Sequence, residues 1–144
     1  DPNIPILTRP RYREILRHIW LRGADSMQVF NEPRPARPEI AIEEIEDVVM
    51  VYDEMLEFRQ FLDKGEVMNT DVPPLDYDGA IWSGLLLEDK AVVRAFTQGT
   101  KPAKFAISPF SGAGTAELEA PPEGMTWLLK KNGKEIEAEV VKAR

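Results

Sequence analysis

The chain has 144 residues, a net charge of −7, 43% hydrophobic and 30% charged side chains, and no cysteine. That content suits a folded chain of one ordinary domain or two small ones. The acidic balance argues against nucleic acid, whose phosphates need a basic face. The missing cysteines remove disulfides, zinc–thiolate sites and cysteine nucleophiles. No apolar run reaches the roughly 18 residues of a membrane span, so no membrane partner is expected.

Residues 1–8 hold two prolines and read as an extended lead-in. No signal peptide opens the chain, and Asp1-Pro2-Asn3 looks like the interior of a longer protein. Thr8 is placed to cap a helix with Pro10 in its first turn. Tyr12, Ile15, Leu16, Ile19 and Trp20 then fall at helical spacing, opposite Arg11, Arg13, Glu14 and Arg17. Gly23 supplies the stop.

Ser26-Met27-Gln28-Val29-Phe30 is short and mostly apolar, and reads as a strand buried on both faces, ended by Asn31-Glu32-Pro33. Three prolines between Pro33 and Pro38 make a stiff loop. The spacing of Ile42, Ile45, Val48, Val49, Tyr52, Met55, Leu56 and Phe58 predicts one long helix from about Pro38 to Asp63, its buried face drawn through these residues. Glu39, Glu43, Glu44, Glu46 and Asp47 crowd its positive end and read as a wet face, and Lys64-Gly65 stops it.

Beyond Gly65 the helical period gives way to alternation. Expected strands are Ala80–Leu87, Ala91–Thr97, Lys104–Ser108, Thr115–Glu119, Met125–Lys130 and Glu135–Lys142. Glu88-Asp89-Lys90 reads as a tight turn, and Asn132-Gly133 as the centre of a type I′ hairpin. In the last strand Ile136, Ala138 and Val140 alternate with Glu135, Glu137 and Glu139, giving a core face and a wet one. The class is α+β: a helical and βα segment over residues 1–68, then an antiparallel β-domain, a small sandwich or meander, over residues 69–144.

The run Leu16-Arg17-His18-Ile19-Trp20-Leu21-Arg22-Gly23-Ala24-Asp25-Ser26-Met27-Gln28-Val29-Phe30-Asn31 resembles the final helix-then-strand step of a (β/α)₈-barrel glycoside hydrolase. A helix, a small Gly-Ala-Asp turn and a strand ending in a polar residue follow one another. The long second helix and the β-domain from Ala80-Ile81-Trp82-Ser83-Gly84 continue the resemblance. It implies the last α-β-α elements of a TIM-type barrel with a trailing β-domain. It also implies a carbohydrate substrate, the remainder of the barrel or a partner chain packing on residues 12–30, and a secreted or periplasmic protein. No cofactor is implied. Closing a barrel takes eight strands, and this sequence offers one parallel strand.

Asn31 and Glu32 would stand at the barrel rim, where active-site loops gather, and are the candidate substrate-binding residues. The plainer reading makes them loop residues that end a strand. Asp25 lies about 20 Å from Glu32 at strand rise, so no catalytic carboxylate pair is visible. The single histidine, His18, lies beside the apolar stripe and reads as structural. Trp20, Trp82 and Trp127 suit sugar stacking by chemistry but read as core. Asp71, Asp76 and Asp78 read as a solvated acidic linker rather than a calcium loop, for want of the glycine and closing glutamate. Ser111-Gly112-Ala113-Gly114 lacks the lysine and helix of a phosphate loop. The alternative to a hydrolase is a non-catalytic carbohydrate- or protein-binding module.

Overall fold

The computed structural model describes residues 7–29 and 36–142. Helix α1 spans Arg9–Leu21, α2 Glu39–Met55 and α3 Arg59–Lys64. The Thr8 hydroxyl accepts the Arg11 backbone N–H at 3.4 Å, and Gly23 (φ 92°) carries the chain out of α1. The expected single long helix is broken. Leu56–Phe58 tightens into a 3₁₀ turn between α2 and α3. The three-residue spacing of Met55, Phe58 and Phe61 matches that tighter turn, and all three rings and chains enter the core.

Strands β1 (Glu66–Val67), β2 (Ala80–Leu87), β3 (Lys90–Thr97), β6 (Met125–Asn132) and β7 (Glu135–Val141) form an antiparallel sheet in the order β1-β2-β3-β6-β7. β4 (Ala103–Ile107) and β5 (Ala116–Ala120) form a separate ribbon. The result is a mixed α+β fold in three layers. Leu16, Trp20, Leu21, Val51, Met55, Phe58 and Phe61 pack on Leu85 and Val92, so helices and sheet share one apolar cluster. On the opposite face, Ala91, Val93 and Leu129 meet Ile107, Phe110, Ala116 and Leu118 of the ribbon side. Register explains the sorting: Leu85, Val92 and Leu128 align across β2, β3 and β6 toward the helices, while Gly84, Val93 and Trp127 form the next row on the other face.

Three expectations need correcting. Ser26–Val29 pair with no strand, Val29 is 36% exposed, and Phe30 lies outside the described residues. A doubly buried parallel strand needs neighbours on both edges, and the five-stranded sheet offers none there. The hairpin turn is shifted by one residue: Asn132 pairs with Glu135, leaving Gly133 (φ 63°) and Lys134 as the central pair. Glycine first is the alternative two-residue solution. On β7, Ile136 reaches the ribbon-side core, but Val140 is 39% exposed because β7 is an edge.

Helices α1 and α2 run parallel. Arg9 and Arg13 reach Asp47, and Arg17, two turns on from Arg9, reaches Glu54, two turns on from Asp47. The Trp20 and Tyr52 rings meet at the far end, 5.8 Å apart. Successive helices joined by a short loop are antiparallel neighbours. Parallel ones need a connection that returns the whole length of the first helix, about 20 Å for α1's 13 residues.

Candidate functional site

Asn31 and Glu32 lie outside the described residues. Asp25, Asp71, Asp76 and Asp78 are exposed, and no group of three or more metal-ligating side chains gathers among the described residues. The Ser111–Gly114 segment is a turn leading into β5; Lys131 Nζ donates to the Ser111 carbonyl at 2.7 Å, and no helix follows. Trp20 is core. Trp82 and Trp127 are half-buried on strands separated by β3, and Trp82 stacks on Phe105 at 6.0 Å.

The acidic face of α2 is not uniformly wet. Asp47 is 1% exposed and receives Arg13 Nε at 2.6 Å and Arg9 at 3.0 Å. Glu54 holds Arg17 through both oxygens, at 2.6 and 3.1 Å. A cleft of about 270 Å³ beside this pair also carries Asp53 and Glu57. A shared arginine clamp fixes helix register; it does not leave a carboxylate free to move a proton.

The helix–sheet seam holds a polar cluster that the sequence reading passed over. Ser83, Arg94 and Thr126 align across β2, β3 and β6 on the helix-facing side. Glu14 and His18, one turn apart on α1, descend onto this row. Arg94 donates to both Glu14 oxygens, at 2.8 and 2.7 Å, and to Thr126 Oγ1 at 3.1 Å. His18 Nε2 lies 3.0 Å from Glu14 and Nδ1 lies 2.7 Å from Ser83 Oγ. Burial alone would raise the Glu14 carboxyl, but the hydrogen bonds from Arg94 and His18 outweigh it and hold it at about 2. An ionised Glu14 can only accept, so Nε2 carries the imidazole proton and Nδ1 accepts from the Ser83 hydroxyl. Ser83 Oγ in turn accepts from Arg22 Nε at 2.7 Å. Burial lowers the His18 pKa; Glu14 opposes this, and Arg94 and Arg22 reinforce it.

A serine, a histidine and a carboxylate in hydrogen-bonded order could activate a nucleophile. Here Ser83 is 0% exposed and no substrate carbonyl can reach it. The cluster is a latch between α1 and the sheet. A charged residue inside the apolar run Ala91-Val92-Val93-Arg94-Ala95-Phe96, and Glu14 four residues before His18, were its sequence signals.

The surface left without a partner is apolar. Ile42, Ile45, Val49 and Tyr52 are 62, 55, 53 and 45% exposed and lie on one side of α2. The buried side is set by Ile40, Val51 and Met55, so the expected buried face divides into a covered half and an open half. Ile15 and Ile19 are exposed on α1, whose Trp20 ring meets Tyr52. Monomeric surfaces seldom leave such a stripe open without an interaction to serve. Among the described residues, no helix is long and apolar enough to cross a membrane. Compared with protein-family models, with curated proteins and with solved structures, the chain matches none.

Proposed function

We propose that this chain is the C-terminal region of a carbohydrate-active hydrolase of the (β/α)₈ kind, with α1 and α2 as adjacent wall helices and the sheet and ribbon as an accessory β part. The observation that carries this reading is the parallel pairing of α1 and α2. Consecutive helices of a βα barrel are parallel because a strand runs back between them. The connection from Arg22 to Pro38 includes the apolar Met27-Gln28-Val29 segment and has the length for that return. The open stripe of Ile42, Ile45, Val49 and Tyr52 is the second support: a wall helix buries such a stripe on the strands beneath it. Those strands, and the neighbours that Ser26–Val29 lack here, come from further polypeptide. Asn31 and Glu32 then stand at the rim as substrate-binding residues.

The test is release of reducing sugar from a panel of plant, algal and bacterial polysaccharides by the full-length protein. Hydrolysis that falls with Glu32→Gln while the melting temperature stays unchanged supports the reading. No hydrolysis of any polymer by a folded full-length protein counts against it.

A second reading, a non-catalytic protein-binding module, is favoured by one observation. Glu14, Asp47 and Glu54 are each held by an arginine. In that case the same apolar stripe docks on a partner and no sugar is cleaved.

A further inference from the structure

One cleft gathers positive charge in a chain whose net charge is −7. It lies between α1, the first residues of β2 and the end of β3, and holds about 290 Å³, near the lower end of small-ligand sites. Its polar lining is Arg11, His18, Arg22 and Gln98, with no Asp or Glu among the residues around it. Ile15, Ile19, Pro73 and Ile81 give it apolar walls, with the buried Phe96 ring at its base.

Arg11, and Arg22 just past the end of α1, differ from the three arginines of α1 that face α2. Arg9, Arg13 and Arg17 each hold a carboxylate of α2. Arg11 has no carboxylate partner among the described residues; its guanidinium lies over the Phe96 ring, 5.0 Å from the centroid. Among the described residues, Arg22 donates to neutral oxygens: Ser83 Oγ, the Asp71 carbonyl and the Trp82 carbonyl, at 2.7, 2.7 and 3.1 Å. Ring contact and carbonyls orient these cations without neutralising them. A planar guanidinium prefers a bidentate oxyanion, above all a carboxylate or phosphate.

We propose that this cleft binds the carboxylate of an acidic sugar unit, a uronate, with Arg11 as the main contact and Arg22 adding positive charge. The pyranose C–H face would lie on the apolar wall of Ile15, Ile19, Pro73 and Ile81, and Gln98 would meet ring hydroxyls. That the carboxylate is carried by a sugar rests on the hydrolase reading. The preference for an anion rests on the arginines alone.

The experiment is a titration of the isotope-labelled chain, followed by NMR, with digalacturonate. The neutral disaccharide of the same linkage, acetate and inorganic phosphate serve as parallel probes. Saturable shifts at Arg11, Phe96 and Gln98 with digalacturonate, at least tenfold weaker with the neutral disaccharide and with both small anions, are expected. Arg11→Gln should weaken binding tenfold or more, Arg11→Lys should recover part of it, and Arg59→Gln, on α3 away from the cleft, should leave it unchanged. Absence of saturable shifts, equal binding of the neutral sugar, or equal binding of acetate or phosphate would overturn the proposal. Hydrolysis of neutral polymers by the full-length protein without uronate binding would defeat this inference alone. Uronate binding without hydrolysis of any polymer would defeat the hydrolase reading alone.

Discussion

The five-stranded sheet and the helical layer are completed to different degrees. The sheet has partners on both sides: Leu85 and Val92 lie under the helices, and Ala91, Val93 and Leu129 under the ribbon. The helical layer is covered on the sheet side and joined internally by arginine–carboxylate pairs, yet it leaves Ile42, Ile45, Val49 and Tyr52 wet on the other. A face whose hydrophobic burial is finished gains its full apolar stabilisation within the chain; one whose burial is half finished leaves apolar area in water. The two layers meet at the Glu14–Arg94–His18–Ser83 latch, so a change there acts on the seam between them.

Glu14→Ala should have the largest effect. It leaves the Arg94 guanidinium in the seam, 9% exposed and without its carboxylate. Removing one partner of a buried pair costs about 3–5 kcal/mol, because the remaining charge stays desolvated. Denaturant unfolding should show that loss, with α1 losing hydrogen-exchange protection before β3 and β6. Equal loss of protection in both layers would mean that they do not separate at this seam.

Acid should act on the same place through two groups. The Glu14 carboxyl sits at about 2 against an ordinary 4.5, so the stability it contributes is complete above about 4.5 and is lost as the pH falls toward 2. The shift corresponds to a loss on the order of 3 kcal/mol. His18 is pushed below its usual 6.5, so the unfolded chain takes up a proton first and stability begins to fall below about pH 6.5. The groups facing His18 are Glu14 from α1, Arg22 just past its end, and Ser83, Arg94 and the Phe96 ring from the sheet, so a charged imidazole would meet two cations and one anion. Melting temperature followed from pH 7 to 3 should decline throughout. His18→Gln should flatten the upper part of that curve and Glu14→Gln the lower part.

Much of this architecture can be read from local pattern. Thr8, Pro10 and Gly23 bound α1 because caps act through their own backbone neighbourhood. The alternation from Ala80 to Leu87 and from Ala91 to Thr97 marks β2 and β3 to within a residue. Failures occur where a distant partner decides the outcome. Strand β1, two residues long, exists only through its pairing with Leu85 and Leu86. The face of α2 looks uniformly buried in sequence because periodicity records what a helix can bury, not what is present to cover it. Asp47 looks like one more surface acid until α1 brings Arg9 and Arg13 over it. The latch shows in sequence as a charge inside a strand and a Glu–His pair one helical turn apart, but cross-strand register and helix docking together determine that these side chains meet.

Val29→Asp gives a smaller effect and sharpens the contrast between covered and uncovered surroundings. With Val29 36% exposed and its segment unpaired, the substitution should cost this chain no more than about 1 kcal/mol. If the hydrolase reading holds and barrel strands of a longer protein enclose Val29, an unpaired carboxylate there should prevent folding of that protein or cost several kcal/mol. Equal small losses in both, measured by denaturant unfolding, would remove the strand from the proposed wall.

The smallest effect on stability should come from the open stripe of α2. Ile45→Lys with Val49→Lys changes two side chains that are more than half exposed, so the melting of this chain should stay within about 0.5 kcal/mol of the parent. Two lysines among the acidic side chains of α2 also relieve some of its local repulsion. The consequence belongs to whatever covers the stripe. If α2 lies on a strand wall, the double substitution buries two ammonium groups there, and the full-length protein should lose its soluble yield and its polysaccharide hydrolysis together. If the stripe instead docks a separate partner, yield should stay normal and the complex should be lost in a pull-down from the native source. Because the stripe adds almost nothing to the fold of this chain, either loss would report on the covering surface rather than on the helix itself.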